Sequence, residues 1–139
     1  MRVMVLAVLL TLTGGHALAA DPAEGTWLTQ GGGGKVLLAP CPSRPAQLCG
    51  HTVWLRAPAD LGARDANNPD PALRNRPRLG LLILWGFERP SPGRWIGGKI
   101  YDPNSGKTYG GRLTATGAGA LTVEGCVLML CRAQTWRRE

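Results

Sequence analysis

Histidine, serine and lysine are scarce in this 139-residue chain, and those present form no recognisable catalytic constellation. Of the two histidines only His51 lies beyond the first twenty residues. On an extended segment it shares a face with Cys49, Val53 and Leu55, which fits a satisfied or surface histidine better than a general base. The three serines, Ser43, Ser91 and Ser105, fall in turn-forming stretches. Neither a Gly-x-Ser-x-Gly elbow nor a His-Glu-x-x-His pair occurs. Asp60, Asp65, Asp70, Asp102 and Glu124 supply carboxylates, but nothing fixes the separation that a glycosidase pair needs. The expectation is a non-enzymatic protein, with no catalytic residues, no metal and no cofactor.

Apolar runs of membrane-spanning length are also missing. Beyond the leader the longest is Leu79 to Phe87, and Gly80 and Gly86 interrupt it. Val3 to Leu12 has the length of a signal-peptide core, and Ala17-Leu18-Ala19 is a small-x-small cleavage pattern. Residues 1–19 are therefore expected to be a cleaved signal peptide and residues 20–139 a single domain, periplasmic or secreted. The absence of cysteine at the cleavage point argues against a lipid anchor. The net charge of +7, carried by 13 arginines and 3 lysines, permits contact with an anionic envelope glycan, lipid or protein. Export argues against nucleic acid as the partner.

Cysteine is present in an even number: Cys41, Cys49, Cys126 and Cys131. In an exported chain four cysteines read as two disulfides, with three possible pairings. Cys41–Cys49 and Cys126–Cys131 are favoured, because each pair flanks a turn. Spacings of C-x7-C and C-x4-C do not make zinc knuckles, and no C-x-x-C redox pair occurs.

Helical periodicity is nearly absent after the leader. Twenty glycines and eleven prolines break the chain into short segments instead. The pattern predicts eight strands: 25–29, 35–40, 48–56, 79–88, 95–101, 107–115, 121–128 and 133–138. Pro103-Asn104-Ser105-Gly106 has the chemistry of a four-residue hairpin turn. Its Asp-x-Asn-x-Gly and Gly-Lys-Thr fragments imitate calcium and phosphate loops, but the bidentate Glu of the first and the first glycine of the second are missing. Eight antiparallel strands in so short a chain are best closed into an up-and-down barrel, which leaves no edges. A β-sandwich is the alternative.

Gly25-Thr26-Trp27 opens the first strand, and Trp136-Arg137-Arg138 ends the last. This pairing resembles the lipocalin, fatty-acid-binding and avidin group, the calycins. The resemblance implies that the tryptophan of the first strand plugs one end of a barrel while a basic residue of the last strand crosses its ring. Trp27, Trp136 and Arg138 become the barrel-closure residues. A further set of motifs runs through the chain in order: Gly25-Thr26-Trp27-Leu28-Thr29, Leu48-Cys49-Gly50 with Val53-Trp54-Leu55, Asn68-Pro69-Asp70-Pro71, Arg76-Pro77 with Leu79-Gly80, Gly97 to Pro103, Gly106-Lys107-Thr108-Tyr109, and Gln134-Thr135-Trp136. In these the chain resembles the small exported bacterial proteins of domain-of-unknown-function family 2147. It departs from their usual Trp-Thr-Arg ending by carrying Arg137 before the matching Arg138. The resemblance implies an exported lipocalin-like barrel and brings no activity with it.

Two regions remain as candidate sites. Trp54, Trp85, Tyr101 and Tyr109, with Trp95, are the large aromatics of a chain with a single Phe, and lining a barrel interior they would suit a small apolar or amphipathic ligand. The long connection from Asp60 to Arg78 is the second. It could act as a lid, hold calcium on Asp65, Asn67, Asn68 and Asp70, or present Arg74, Arg76 and Arg78 to an anionic envelope component.

Overall fold

The computed structural model describes residues 19–57, 63–117 and 119–139. The expected leader up to residue 18, and Asp60, lie outside the described residues. Eight strands follow one another: β1 (Gly25–Leu28), β2 (Gly34–Cys41), β3 (Arg44–Leu55), β4 (Leu82–Ser91), β5 (Arg94–Asp102), β6 (Lys107–Thr116), β7 (Ala120–Val127) and β8 (Leu130–Arg138). Each pairs antiparallel with the next, and β8 returns to β1 through Trp27 opposite Arg138, so the sheet is a closed barrel. That closure removes the sandwich alternative. Among the described residues no helix is long and apolar enough to cross a membrane.

Strand existence follows the sequence expectation, and boundaries differ where turns are tighter than expected. β8 begins at Leu130 rather than Ala133, because the ladder continues through Cys126 opposite Cys131 and Val127 opposite Leu130. β3 begins at Arg44, opposite Cys41, with an irregularity at Pro40/Cys41 that accommodates Pro45, a residue with no N–H for the ladder. β4 starts three residues late, since Leu79–Leu81 form a turn in which Gly80 N donates to Thr52 O at 2.7 Å. Disulfides join Cys41 to Cys49 and Cys126 to Cys131, the favoured pairing.

Side-chain alternation divides the barrel into a packed half and a hollow half. Trp27, Leu38, Leu48, Leu84, Phe87, Leu113 and Leu121 are almost fully buried and fill the half that holds the β2–β3, β4–β5 and β6–β7 turns. Glycines make room for the one phenylalanine: a Cβ on Gly98 would overlap the Phe87 ring, and one on Gly111 would lie 2.9 Å from its tip. Burying such side chains contributes roughly 1.5–3 kcal/mol each.

The N-terminal segment seals this end. Trp27 Nε1 donates to Ala23 O at 2.8 Å, and the Arg138 guanidinium lies 4.3 Å from the Trp27 ring centroid. Arg138 also donates to the carbonyls of Glu24, at 2.9 Å, and Pro22. A Cβ on Gly25 would sit 2.7 Å from that guanidinium, so the glycine of the Gly-x-Trp motif is what lets the arginine pass. Below it Asp21 is buried and accepts from Ala23 N (2.9 Å), Trp95 Nε1 (2.9 Å), Gly93 N (3.0 Å) and Arg89 Nη1 (3.1 Å). Burial pushes the Asp21 carboxyl up, but these donors outweigh it and hold it below its ordinary value. Asp21 thus ties the N-terminal segment to β4 and β5.

Candidate functional site in the open half of the barrel

The other half of the barrel holds a cavity of about 810 Å³. Strand alternation gives it an apolar wall: Val36 on β2, Ile83 on β4, Ile100 on β5, Val123 on β7 and Trp136 on β8. Gly125, inward on β7, supplies no side chain and keeps the space open beside Tyr109. Polar groups enter from Thr52, Gln134 and Tyr109, with Gln134 Oε1 accepting from Trp136 Nε1 at 3.0 Å. The rim comes from the turns at this end, and three cations stand on it: Arg78, Lys107 and Arg132. The rim also includes Asp102, whose carboxylate is occupied within its own turn by Asn104 N (2.9 Å) and Ser105 Oγ (2.8 Å). The partners described for Arg78 are the neutral oxygens of Asn104, Pro103 and Arg64, so its charge is positioned without being cancelled. An apolar wall below a cationic rim is complementary to an amphipathic molecule with an anionic or polar head.

The four aromatics expected at a ligand site are not brought together. Tyr109 does face the cavity. Trp54 pairs with Lys35 on the outer surface, 37% exposed, with the Lys35 ammonium 5.0 Å from its ring centroid. A register shift between Lys35 and Val36 turns it out, so strict alternation from Thr52 misplaces it. Trp85 is also external, opposite Lys99, in a surface groove beside the Cys41–Cys49 hairpin. Tyr101 is buried and borders both the cavity and the groove that holds Trp85, while its hydroxyl is engaged by Asp65 of the long connection. Trp95 faces inward in the packed half, held by Asp21. Trp136, expected as a closure residue beside Trp27 and Arg138, lines the cavity instead.

The long connection is a strap rather than a lid in its described part, and of those residues only Arg78 lines the cavity. Ala63 and Arg78, and Asp65 and Arg76, are joined by backbone hydrogen bonds of 3.0 Å, with a short 3-10 turn at Pro71–Leu73 between them. Asp65 anchors it to the barrel. Its carboxylate accepts from Tyr101 Oη, from Asn68 Nδ2 at 2.9 Å and from Arg76 Nε at 2.8 Å. Burial raises the Asp65 carboxyl, but these three donors and the Arg76 charge bring it below its ordinary value; burial and the Asp65 anion push Tyr101 up. A carboxylate surrounded by three donors is not disposed to take calcium. The strap also docks on the β5–β6 turn: Asn67 Nδ2 donates to Asn104 O at 2.7 Å and Arg78 Nη1 to Asn104 Oδ1 at 2.8 Å. Gly106, at φ +72°, lies so close to Asn67 O that a Cβ there would overlap it. The Asp-Pro-Asn-Ser-Gly stretch is therefore a docking surface for the strap. The three arginines expected as an anion patch are engaged locally: Arg74 with Asn68 O (2.8 Å), Arg76 with Asp65, and Arg78 with the turn.

Sequence reasoning missed Asp21, and with it the closed-end latch. It also missed the cationic pair Lys107 and Arg132. Lys107 and Arg132 had a usable signal, because each sits beside a hairpin turn at the same end of an eight-strand meander.

Comparison with known proteins agrees with this architecture. A Helicobacter pylori protein described as belonging to the lipocalin family superposes with a TM-score of 0.71 at 23% identity, over 84% of this chain and 82% of that one. At that identity the likeness concerns the fold. No curated protein matches the sequence. The sequence pattern of the family described as "Uncharacterized protein conserved in bacteria (DUF2147)" matches residues 25–138, from the Gly-x-Trp motif to Arg138. The chain belongs to this bacterial family, and its fold is the lipocalin-like eight-stranded barrel.

Proposed function

We propose that the protein is an exported, non-enzymatic carrier that binds one small amphipathic molecule in the open half of its barrel. The observation that carries this reading is the cavity of about 810 Å³, apolar on its wall and cationic at its rim. The apolar part of the ligand lies against Val36, Ile83, Ile100, Val123 and Trp136, and its head group meets Arg78, Lys107 and Arg132. Two disulfides are compatible with an oxidising compartment beyond the inner membrane, and the sequence of residues 1–19 supports export. Trp136 is a built-in reporter, buried against the cavity, whereas Trp27 and Trp95 belong to the packed half.

The test is native mass spectrometry of protein recovered from the bacterial envelope, with fluorescence titration by medium- and long-chain fatty acids, their neutral alcohols and aromatic probes. Saturable quenching that is stronger for acids than for alcohols is expected. Lys107→Glu should weaken the acids selectively, and Val123→Phe should weaken every ligand by narrowing the wall. Absence of saturable binding by any amphipath, in protein shown to be free of co-purified ligand, would remove the reading.

A further inference from the structure

We propose that the open end of the barrel docks on an anionic lipid bilayer, with residues 127–130 inserted among the head groups and Lys107 and Arg132 facing the surface. The tip of the β7–β8 hairpin reads Val127-Leu128-Met129-Leu130. Leu128 and Met129 are 97% and 96% exposed, Leu130 is 82% and Val127 51%. A two-residue hairpin turn ordinarily takes Asn, Asp or Gly, because its geometry demands positive φ. Here that position is Leu128, at φ +55°, the one non-glycine residue with positive φ among the described residues. A bulky residue in that region is strained and is retained only where the surroundings enforce it. The enforcement is visible: Cys126 and Cys131 are bonded directly below the tip. The chain therefore holds four apolar side chains in water, at a place where turn chemistry favours small polar ones.

Charge identifies the occupant. Lys107 and Arg132 line the same mouth as Val127 and Leu130, and Arg78 stands with them. Among the described residues, Asp102 is engaged within its turn and Glu124 with Arg112 Nη2 at 2.8 Å. An apolar point ringed by cations matches a bilayer with negative head groups, where insertion and surface attraction add. Such docking turns the mouth of the cavity toward lipid. Transfer of an amphipath along that route rests on the proposed carrier function, whereas the docking itself does not.

The experiment is flotation of the full chain with vesicles of equal parts phosphatidylglycerol and phosphatidylcholine, against phosphatidylcholine alone. Binding to the anionic vesicles is expected, with a loss at high salt. The Leu128→Asp/Met129→Asp double variant should fall at least tenfold, since burying one leucine-sized side chain is worth roughly that factor. Lys107→Glu/Arg132→Glu should fall further than tenfold, at about fivefold for each cation lost. These side chains are exposed, so near-ultraviolet dichroism should match the parent. In a Met129→Trp variant the emission should shift to the blue on vesicles and be quenched by brominated lipid. No preference for anionic vesicles, undiminished binding by the Asp variant, or no emission shift in the Met129→Trp variant would each overturn the proposal. So would a dimer in sedimentation equilibrium that the Asp variant dissolves, because the tip would then be a self-association surface. Fatty-acid binding measured on the Leu128→Asp/Met129→Asp variant, whose altered residues do not line the cavity, keeps a failed docking result distinct from a failed carrier.

Discussion

Replacing Asp65 by alanine should open the strap without unfolding the barrel. The carboxylate serves three donors at once: Tyr101 Oη, Asn68 Nδ2 and Arg76 Nε. Removing one partner of a buried ionic network typically destabilises by about 3–5 kcal/mol, because the other groups are left unpaired. The Arg76 side chain is 37% exposed and can rehydrate, which discounts its share. Tyr101 Oη and the Asn68 amide are left as buried donors at about 1–3 kcal/mol each. A local loss of about 3 kcal/mol follows, equal to roughly a hundredfold increase in strap opening. Hydrogen exchange reads this directly. The amides of Asp65, Asn68 and Arg78, which bond within the strap, should exchange roughly a hundred times faster, while those of Leu113 and Leu121 in the barrel ladder should not change. Tyr101→Phe removes one donor and leaves the acceptor with two, so a change of about 1 kcal/mol is expected. Equal strap protection in Asp65→Ala and parent would refute the latch. A uniform loss across all eight strands would show that strap and barrel are one cooperative unit.

The closed end should respond differently. Asp21→Ala leaves the Trp95 indole N–H, the Gly93 amide and Arg89 without their acceptor, and a loss of about 3–5 kcal/mol in global stability by denaturant titration is expected, partly relieved when Arg89→Ala is added. The pH profile of stability should be flat across the neutral range and fall at both ends. Asp21 and Asp65 titrate lower in the fold than in the unfolded chain, so their contribution is complete above about pH 4 and is lost as pH falls through their folded values. Tyr101 titrates higher in the fold, so its contribution is complete below about pH 10 and is lost as pH rises beyond that. Thermal melts across the pH range check both edges, and Asp65→Asn should make the alkaline one shallower without removing it, because the burial of Tyr101 remains.

Strand number, closure and disulfide pairing were legible because they depend on local signals: turn residues at regular intervals, alternation such as Leu121-Val123-Gly125-Val127, and an even number of cysteines beside turns. Facing was less legible. One register shift near Lys35 puts Trp54 outside, and nothing local shows that the Tyr101 hydroxyl is spent on Asp65 of the long connection. Alternation along a strand gives two faces, but it does not say which is inside once glycine-marked irregularities accumulate, as on β4 and β5. The Asp21 and Asp65 latches were illegible for a different reason. Each depends on partners far along the chain, at separations of 72–74 residues for Gly93 and Trp95 and 36 for Tyr101, and single-sequence reasoning assigns such carboxylates to solvent.

The unequal halves of the barrel constrain what fills the open one. The cavity of about 810 Å³ opens to solvent at its rim, so the space is filled, by water or by a ligand. Water at the rim finds Arg78, Lys107, Gln134 and Tyr109 as partners, but water against Val36, Ile83, Ile100 and Val123 finds few. Releasing that second population costs little and covers apolar wall, whereas displacing the first requires a head group that replaces its hydrogen bonds. The gradient from wall to rim thus selects for a molecule that is apolar at one end and acceptor-rich at the other. The packed half makes the hollow one tolerable: its tryptophans, leucines and single phenylalanine, together with the Asp21 latch, hold the barrel closed and allow the other end to remain open.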